Sequence, residues 1–168
     1  HDVFDDEDNM YKWQKETKVA SMDYDTEKEK DLLLKKISDW AIGSYMLEAV
    51  TKDKYGEEVK DIRYFTLFTF NGNKMAVNSP GWYLTLTNKG EPGEKASFII
   101  GSAEKEVKAL FEVEHKNVIV KKEWITLNKE QKKIEIPIEE KHRGNFGYHL
   151  VLVKNNRVYS YTQTVTVP

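Results

Sequence analysis

From Trp82 onward the chain breaks into short runs in which apolar and polar residues alternate with a period of two, each run closed by turn residues. That period places every second side chain on one face of a strand, and runs spaced roughly 8 to 12 residues apart are the pattern of an antiparallel sandwich. Val107, Ala109, Phe111 and Val113 alternate with Lys108, Leu110, Glu112 and Glu114, which predicts a strand with one buried face. Further strands are predicted over Trp82 to Thr87, Ala96 to Ile100, Asn117 to Lys121, Trp124 to Leu127, Lys133 to Ile138, Phe146 to Val153 and Arg157 to Val167. Asn155-Asn156 separates the last two, and paired Asn tolerates the positive φ of a tight hairpin. At Pro92-Gly93 a type II turn is expected, because Pro fixes φ at the second position and Gly accepts positive φ at the third. Trp124, in an apolar run with Ile125 and Leu127, is expected to be buried against the facing sheet.

The first seventy residues are less regular. They open on the acidic cluster Asp5, Asp6, Glu7 and Asp8, then Trp13, which reads as a short helix or an irregular arm. A strand is preferred over Leu32 to Ile37, against the alternative of a helix across Glu27 to Lys36, where Glu and Lys are strong helix formers. Gly43 to Val50 follows as a strand with Tyr45, Leu47 and Ala49 on one face, Lys54-Tyr55-Gly56 turns the chain, and Ile62 to Phe70 returns. Tyr45, two residues after Gly43, sits where a corner tyrosine would in an immunoglobulin-like sandwich.

Gly43-Ser44-Tyr45 is echoed by Gly144-Asn145-Phe146, and the separation, 144 − 43 = 101 residues, is the length of one sandwich module of about 100 residues. On that register residues 1–72 are the later part of one sandwich with an acidic N-terminal arm, and residues 82–168 are a whole second one. Residues 73–81 are the expected linker, within a cluster of Asn, Gly, Ser and Pro running from Asn71 to Gly81.

Composition narrows the function more by exclusion than by direction. The chain has 168 residues, 39% apolar and 12% aromatic, enough to bury a sizeable core. Its 26 basic and 28 acidic residues nearly cancel, so no global field steers it to nucleic acid or an anionic membrane. With no Cys there is no disulfide framework, thiolate metal site or cysteine nucleophile. No apolar run approaches the roughly 18 residues of a membrane-spanning helix. The start, His1-Asp2-Val3-Phe4, reads as that of a segment cut from a longer chain.

No catalytic, cofactor-binding or metal site is assigned. His1, His115, His142 and His149 match no ligand spacing and read as surface or packing histidines. Asp5, Glu7 and Asn9, and separately Asp23, Asp25, Glu27 and Glu29, alternate oxygens as calcium loops do. Both lack the Gly at the sixth position, where Met10 and Lys28 stand, and only the first has Glu at the twelfth, Glu16; they read as solvated acidic turns. Gly144-Asn145-Phe146-Gly147 fits the GxxG pattern of an RNA-binding module, but alternating strand follows it, so turn glycines are preferred. Hydrolase, phosphate-loop and dinucleotide fingerprints do not occur, and Glu139-Glu140 reads as solvated charge between strands. The four Trp and nine Tyr raise the alternative of a sugar-stacking platform, against the ordinary core role of aromatics in sandwiches.

Several segments together carry a family resemblance. Pro92-Gly93-Glu94-Lys95-Ala96, Ile100-Gly101-Ser102, Phe111 to Lys116, Lys122-Glu123-Trp124-Ile125, Ile134 to Ile138, Arg143-Gly144-Asn145-Phe146, Val153 to Arg157 and Thr166-Val167-Pro168 look like a macroglobulin domain of the bacterial alpha-2-macroglobulins. Asp23-Tyr24-Asp25-Thr26, Trp40, Gly43 to Ala49 and Thr51 to Gly56 resemble the end of a preceding domain of that kind. The resemblance implies non-catalytic modules with no cofactor, in a large protease-trapping inhibitor of the cell envelope. Its location would be the periplasm or cell surface, with a lipid anchor at the parent's N-terminus as one option. The partners implied are neighbouring macroglobulin domains and, through the full-length parent, host or foreign proteases. The family's chemistry lies in a bait segment and, in many members, a thioester of Cys and Gln, which a chain without Cys cannot contain. The alternatives are an immunoglobulin-like accessory module of a surface adhesin or glycan-binding protein, and a substrate-positioning domain of an envelope enzyme.

Overall fold

A computed structural model describes residues 14–25, 27–29 and 31–168. The acidic cluster at Asp5 to Asp8, Trp13 and the Asp5, Glu7, Asn9 pattern lie outside the described residues. The chain forms two compact units that divide between Leu67 and Phe68.

The first unit is built on one antiparallel hairpin, β1 (Gly43–Lys52) and β2 (Glu58–Leu67), in register from Gly43 opposite Leu67 to Lys52 opposite Glu58. The turn between them closes on Asp53, whose carboxylate accepts the N–H groups of Tyr55 and Glu57 at 2.8 and 2.9 Å. The strand expected over Leu32 to Ile37 is not there, and among the described residues of Glu27 to Lys36 neither is the alternative helix. Lys36 takes φ 57°, which interrupts extended backbone, and a single helical turn, Ile37–Asp39, follows. Leu33 is 75% exposed, so this apolar run has no sheet to bury it. The returning strand is shifted toward the turn relative to the expected Ile62 to Phe70, and Phe68 to Phe70 belong to the second unit.

The second unit is an antiparallel immunoglobulin-like sandwich. Its strands are β3 (Trp82–Thr87), β4 (Lys95–Ser102), β5 (Val107–His115), β6 (Val118–Leu127), β7 (Glu130–Pro137), β8 (Phe146–Lys154) and β9 (Arg157–Val165). They form a three-stranded sheet, β3-β4-β7, and a four-stranded sheet, β6-β5-β8-β9. Alternation decides which residues meet between the sheets. Phe98 of β4 packs on Phe111 of β5 and stacks on Tyr148 of β8, with ring centroids 5.6 and 4.7 Å apart. Val107, Ala109, Leu127, Leu150, Leu152 and Val165 complete a core from which water is excluded. Tyr148 is fully buried, and its hydroxyl bonds to that of Tyr83 on β3 at 2.7 Å, tying sheet to sheet. Burial, then the Tyr83 hydroxyl, pushes the Tyr148 pKa far above the usual phenol range, so the link stays protonated.

Two predicted strands, Asn117 to Lys121 and Trp124 to Leu127, are one continuous β6, and the last strand stops at Val165 rather than Val167. Beyond it Lys89 and Thr166 form a parallel bridge that joins the ends of β3 and β9. The turn chemistry is as expected: Gly93 has φ 97° with Glu94 N–H on Glu91 O at 3.0 Å, and Asn155 and Asn156 have φ 51° and 60°.

Residues 73–81, expected as a linker, are instead fastened to the second unit. Gln131 donates its backbone N–H to Asn73 O and its side-chain Nε2 to Thr69 O and Gly72 O, at 2.8 to 2.9 Å. Ala103 N–H reaches Ser79 O at 2.8 Å, Ala76 is buried, and Met75 lies against Gly101 of β4. Ile99, which alternation turns away from the inter-sheet core, is fully buried on the side that this strap covers. Gly81 ends the strap so close to the Tyr159 ring that a Cβ would lie 2.7 Å from it, which leaves room only for glycine.

Candidate functional site

His1 lies outside the described residues, and the residues singled out from sequence within them have the following places. Tyr45 makes the corner contact: its hydroxyl donates to Ala41 O at 2.6 Å, and its ring stacks between Trp40 and Phe65, 5.2 and 5.5 Å away. Phe146, its echo, is buried beside the His142 ring at 4.5 Å and has no hydroxyl with which to make such a bond. Gly43 and Gly144 both have positive φ, 153° and 84°.

His142 closes a helical turn, Glu140–His142, that enters β8. Its Nδ1 accepts the Glu139 backbone N–H at 3.0 Å, and its backbone N–H returns to Glu139 O at 2.9 Å. Burial lowers its pKa below the usual imidazole value; Glu139 opposes this, while Lys141 and His115 add to it. His115 meets its ring edge-on at 5.4 Å. Arg143, next in sequence, joins Glu140, Glu91 and the Pro168 carbonyl, pinning the end of the chain. His149 points away from Tyr148 and Leu150, as alternation requires, onto the outer face of the four-stranded sheet.

The acidic turn at Asp25 is closed by local bonds. Its carboxylate holds the Lys28 ammonium at 2.7 Å and the Glu27 N–H at 3.0 Å, and these contacts lower its pKa. Glu48 on β1 lies between Lys15 and Lys60, at 2.7 and 2.8 Å, and hydrogen bonds from both ammonium groups hold its carboxyl down to about 2. Glu139 is paired with Lys141 at 2.8 Å. Among the described residues, no group of three or more His, Cys, Asp or Glu is placed to hold a metal. An open recess of about 390 Å³ lies between the strap and β7, lined by Phe70, Asn73, Gln131 and Lys133 among others. Gln131 Oε1 is buried there with no partner among the described residues.

Trp124 overturns a sequence expectation. It is 62% exposed, whereas its neighbours Ile125 and Leu127 are buried. An apolar triplet in a strand cannot send all its side chains inward, and register pairs Trp124 with Leu110, an outward residue of β5. The signal was available in the alternation of β5, whose outward set includes Leu110.

Comparison with known proteins adds little. No family model matches the chain, and no curated protein matches it. Among solved structures, the CARDB domain of a Pyrococcus furiosus protein in complex with di-metal ions aligns at 12% identity, with a TM-score of 0.33. That alignment covers 54% of this chain and 96% of the other. A likeness at that level carries no argument about what this chain binds. Among the described residues, no helix is long and apolar enough to cross a membrane.

Proposed function

We propose that this chain is a non-catalytic scaffold of two macroglobulin-type modules, the first represented by its closing hairpin, in an extracytoplasmic protease trap of the alpha-2-macroglobulin kind. The observation that carries the reading is the paired architecture of the two hairpins. Positive-φ glycines 144 − 43 = 101 residues apart stand at the entries of β1–β2 and β8–β9, Gly43 as the first residue of β1 and Gly144 just before β8, and the first hairpin has the tyrosine corner bond. A rigid sandwich whose faces are tied by Tyr83–Tyr148 suits a wall element, which transmits load without supplying chemistry. In such a parent, bait cleavage and covalent capture belong to other segments. The partners of this one are adjoining macroglobulin modules, and proteases meet it only through the assembled parent.

The test is a division of labour. The chain alone should hydrolyse no ester, peptide or glycoside and should leave proteases uninhibited at micromolar concentration. The full-length parent should block several unrelated proteases from large protein substrates while sparing small chromogenic ones. Stoichiometric inhibition by this chain alone, or a parent that leaves large-substrate cleavage unchanged, would remove the assignment.

A further inference from the structure

The outward face of the β6-β5-β8-β9 sheet carries two contrasting rows. Register places Trp124, Leu110, Val151 and Ser160 side by side across the four strands. Leu110 and Val151 are half-buried and make a level apolar floor, and the Trp124 ring stands exposed at the edge of it. Two residues along each strand, about 7 Å at ~3.4 Å per residue, the next row is Lys122, Glu112, His149 and Thr162. This row is polar and internally paired. Lys122 Nζ lies 2.9 Å from Glu112 Oε1, while His149 is held through both ring nitrogens, by Glu114 Oε2 at 2.9 Å and Thr162 Oγ1 at 3.1 Å. Beyond His149 the row is open, because Gly147 has no side chain although a Cβ there would meet nothing closer than 3.7 Å.

We propose that this face is a saccharide-binding site: one sugar ring stacks on Trp124 and its hydroxyls bond to Glu112 and Lys122 in the adjoining row. Three features choose a neutral saccharide. An exposed indole offers a large, rigid apolar plate that suits the C–H face of a sugar, and its exposure contributes nothing to the core. The polar row holds donors and acceptors already fixed in position, with the Lys122 cation paired to Glu112, so it suits a ligand rich in hydroxyls and lacking charge. The centre of a protein–protein interface is depleted in charged residues, whereas here ionised side chains adjoin the apolar floor directly. The site is independent of the protease-trap reading, since a scaffold module can carry it without taking part in trapping.

The test uses the intact 168-residue chain in native gels cast with a soluble neutral polysaccharide, separately a mixed-linkage β-glucan, a xyloglucan, a mannan and a galactan. Retardation is expected in at least one gel. Trp124→Ala should weaken the interaction roughly tenfold or more and Trp124→Phe less, with Glu112→Gln also weaker. Because Trp124 is exposed, its melting temperature should stay within about two degrees of the parent chain, so lost binding would not reflect unfolding. Migration unaffected by all four polysaccharides, or retardation that survives Trp124→Ala, would overturn the site. So would sedimentation showing that the chain self-associates and that Trp124→Ala abolishes this, since the face would then be covered by a second copy. None of these outcomes bears on whether the parent traps proteases.

Discussion

The two units bury their aromatic residues in different ways. In the second, Phe98, Phe111 and Tyr148 are sealed between two sheets and are fully buried. In the first, Trp40, Tyr45 and Phe65 stack along a single hairpin and remain partly exposed. Both hairpins have strands of similar length and similar starts, so strand-forming tendency does not separate them. The difference is the second layer. A lone two-stranded sheet is marginal in water, because each residue costs roughly 1 to 2 kcal/mol of backbone entropy and only a facing sheet removes enough apolar surface to offset it. Among the described residues of the first unit, local devices stand in its place: the Asp53 turn, the Tyr45 corner and the Lys15–Glu48–Lys60 charge cluster.

The largest test of that contrast is Phe98→Ala. It should cost the second unit about 3 to 5 kcal/mol, the range for truncating a buried aromatic, read as a lowered denaturant midpoint. Hydrogen exchange on the same variant should quicken in β4, β5 and β8 and leave β1 and β2, already the faster exchangers, unchanged. Equal slowing of exchange in β1 and β5 of the wild-type chain would erase the distinction between the units.

A smaller effect is expected at the corner. Tyr45→Phe removes only the hydroxyl that reaches Ala41 O and should cost about 1 kcal/mol, the net value of one hydrogen bond. It should appear as faster exchange at the start of β1, with the second unit unaffected. If the second unit also loses stability, the two do not respond separately.

The smallest effect is a pH dependence confined to the second unit. Burial depresses the His142 pKa in the folded state, so the unfolded chain, near the ordinary value of 6.5, binds the proton more readily. The contribution of neutral His142 is therefore complete above about pH 6.5 and is lost as pH falls from there toward the lower folded value. Protonation would also remove the Nδ1 lone pair that accepts the Glu139 N–H. His142→Asn keeps an acceptor without the titration and should flatten the stability profile between pH 6.5 and 5; an unchanged slope would assign it to other groups.

Much of the second unit was legible in the sequence because its evidence is local. Two-residue alternation, Pro92-Gly93 and Asn155-Asn156 each depend on a few neighbouring residues, and the structure puts strands and turns at those places. The corner position of Tyr45 was also readable, since the bond spans only four residues. Leu32 to Ile37 misled because an apolar run becomes a strand only where another strand pairs with it. Residues 73–81 looked like a linker because Asn, Gly, Ser and Pro favour turns, yet the side chain of Gln131, 59 and 62 residues from its acceptors Gly72 and Thr69, helps fasten the strap. Trp124 was the same kind of case. Its sequence neighbours are core residues, and only pairing with Leu110 across β5 decides that its ring faces outward. The sequence by itself therefore determined the strand period of the second unit and its turns, which are short-range stereochemistry. Tertiary structure decided which apolar residues are buried, because burial is a property of what lies across the sheet, and that is set by register between distant segments.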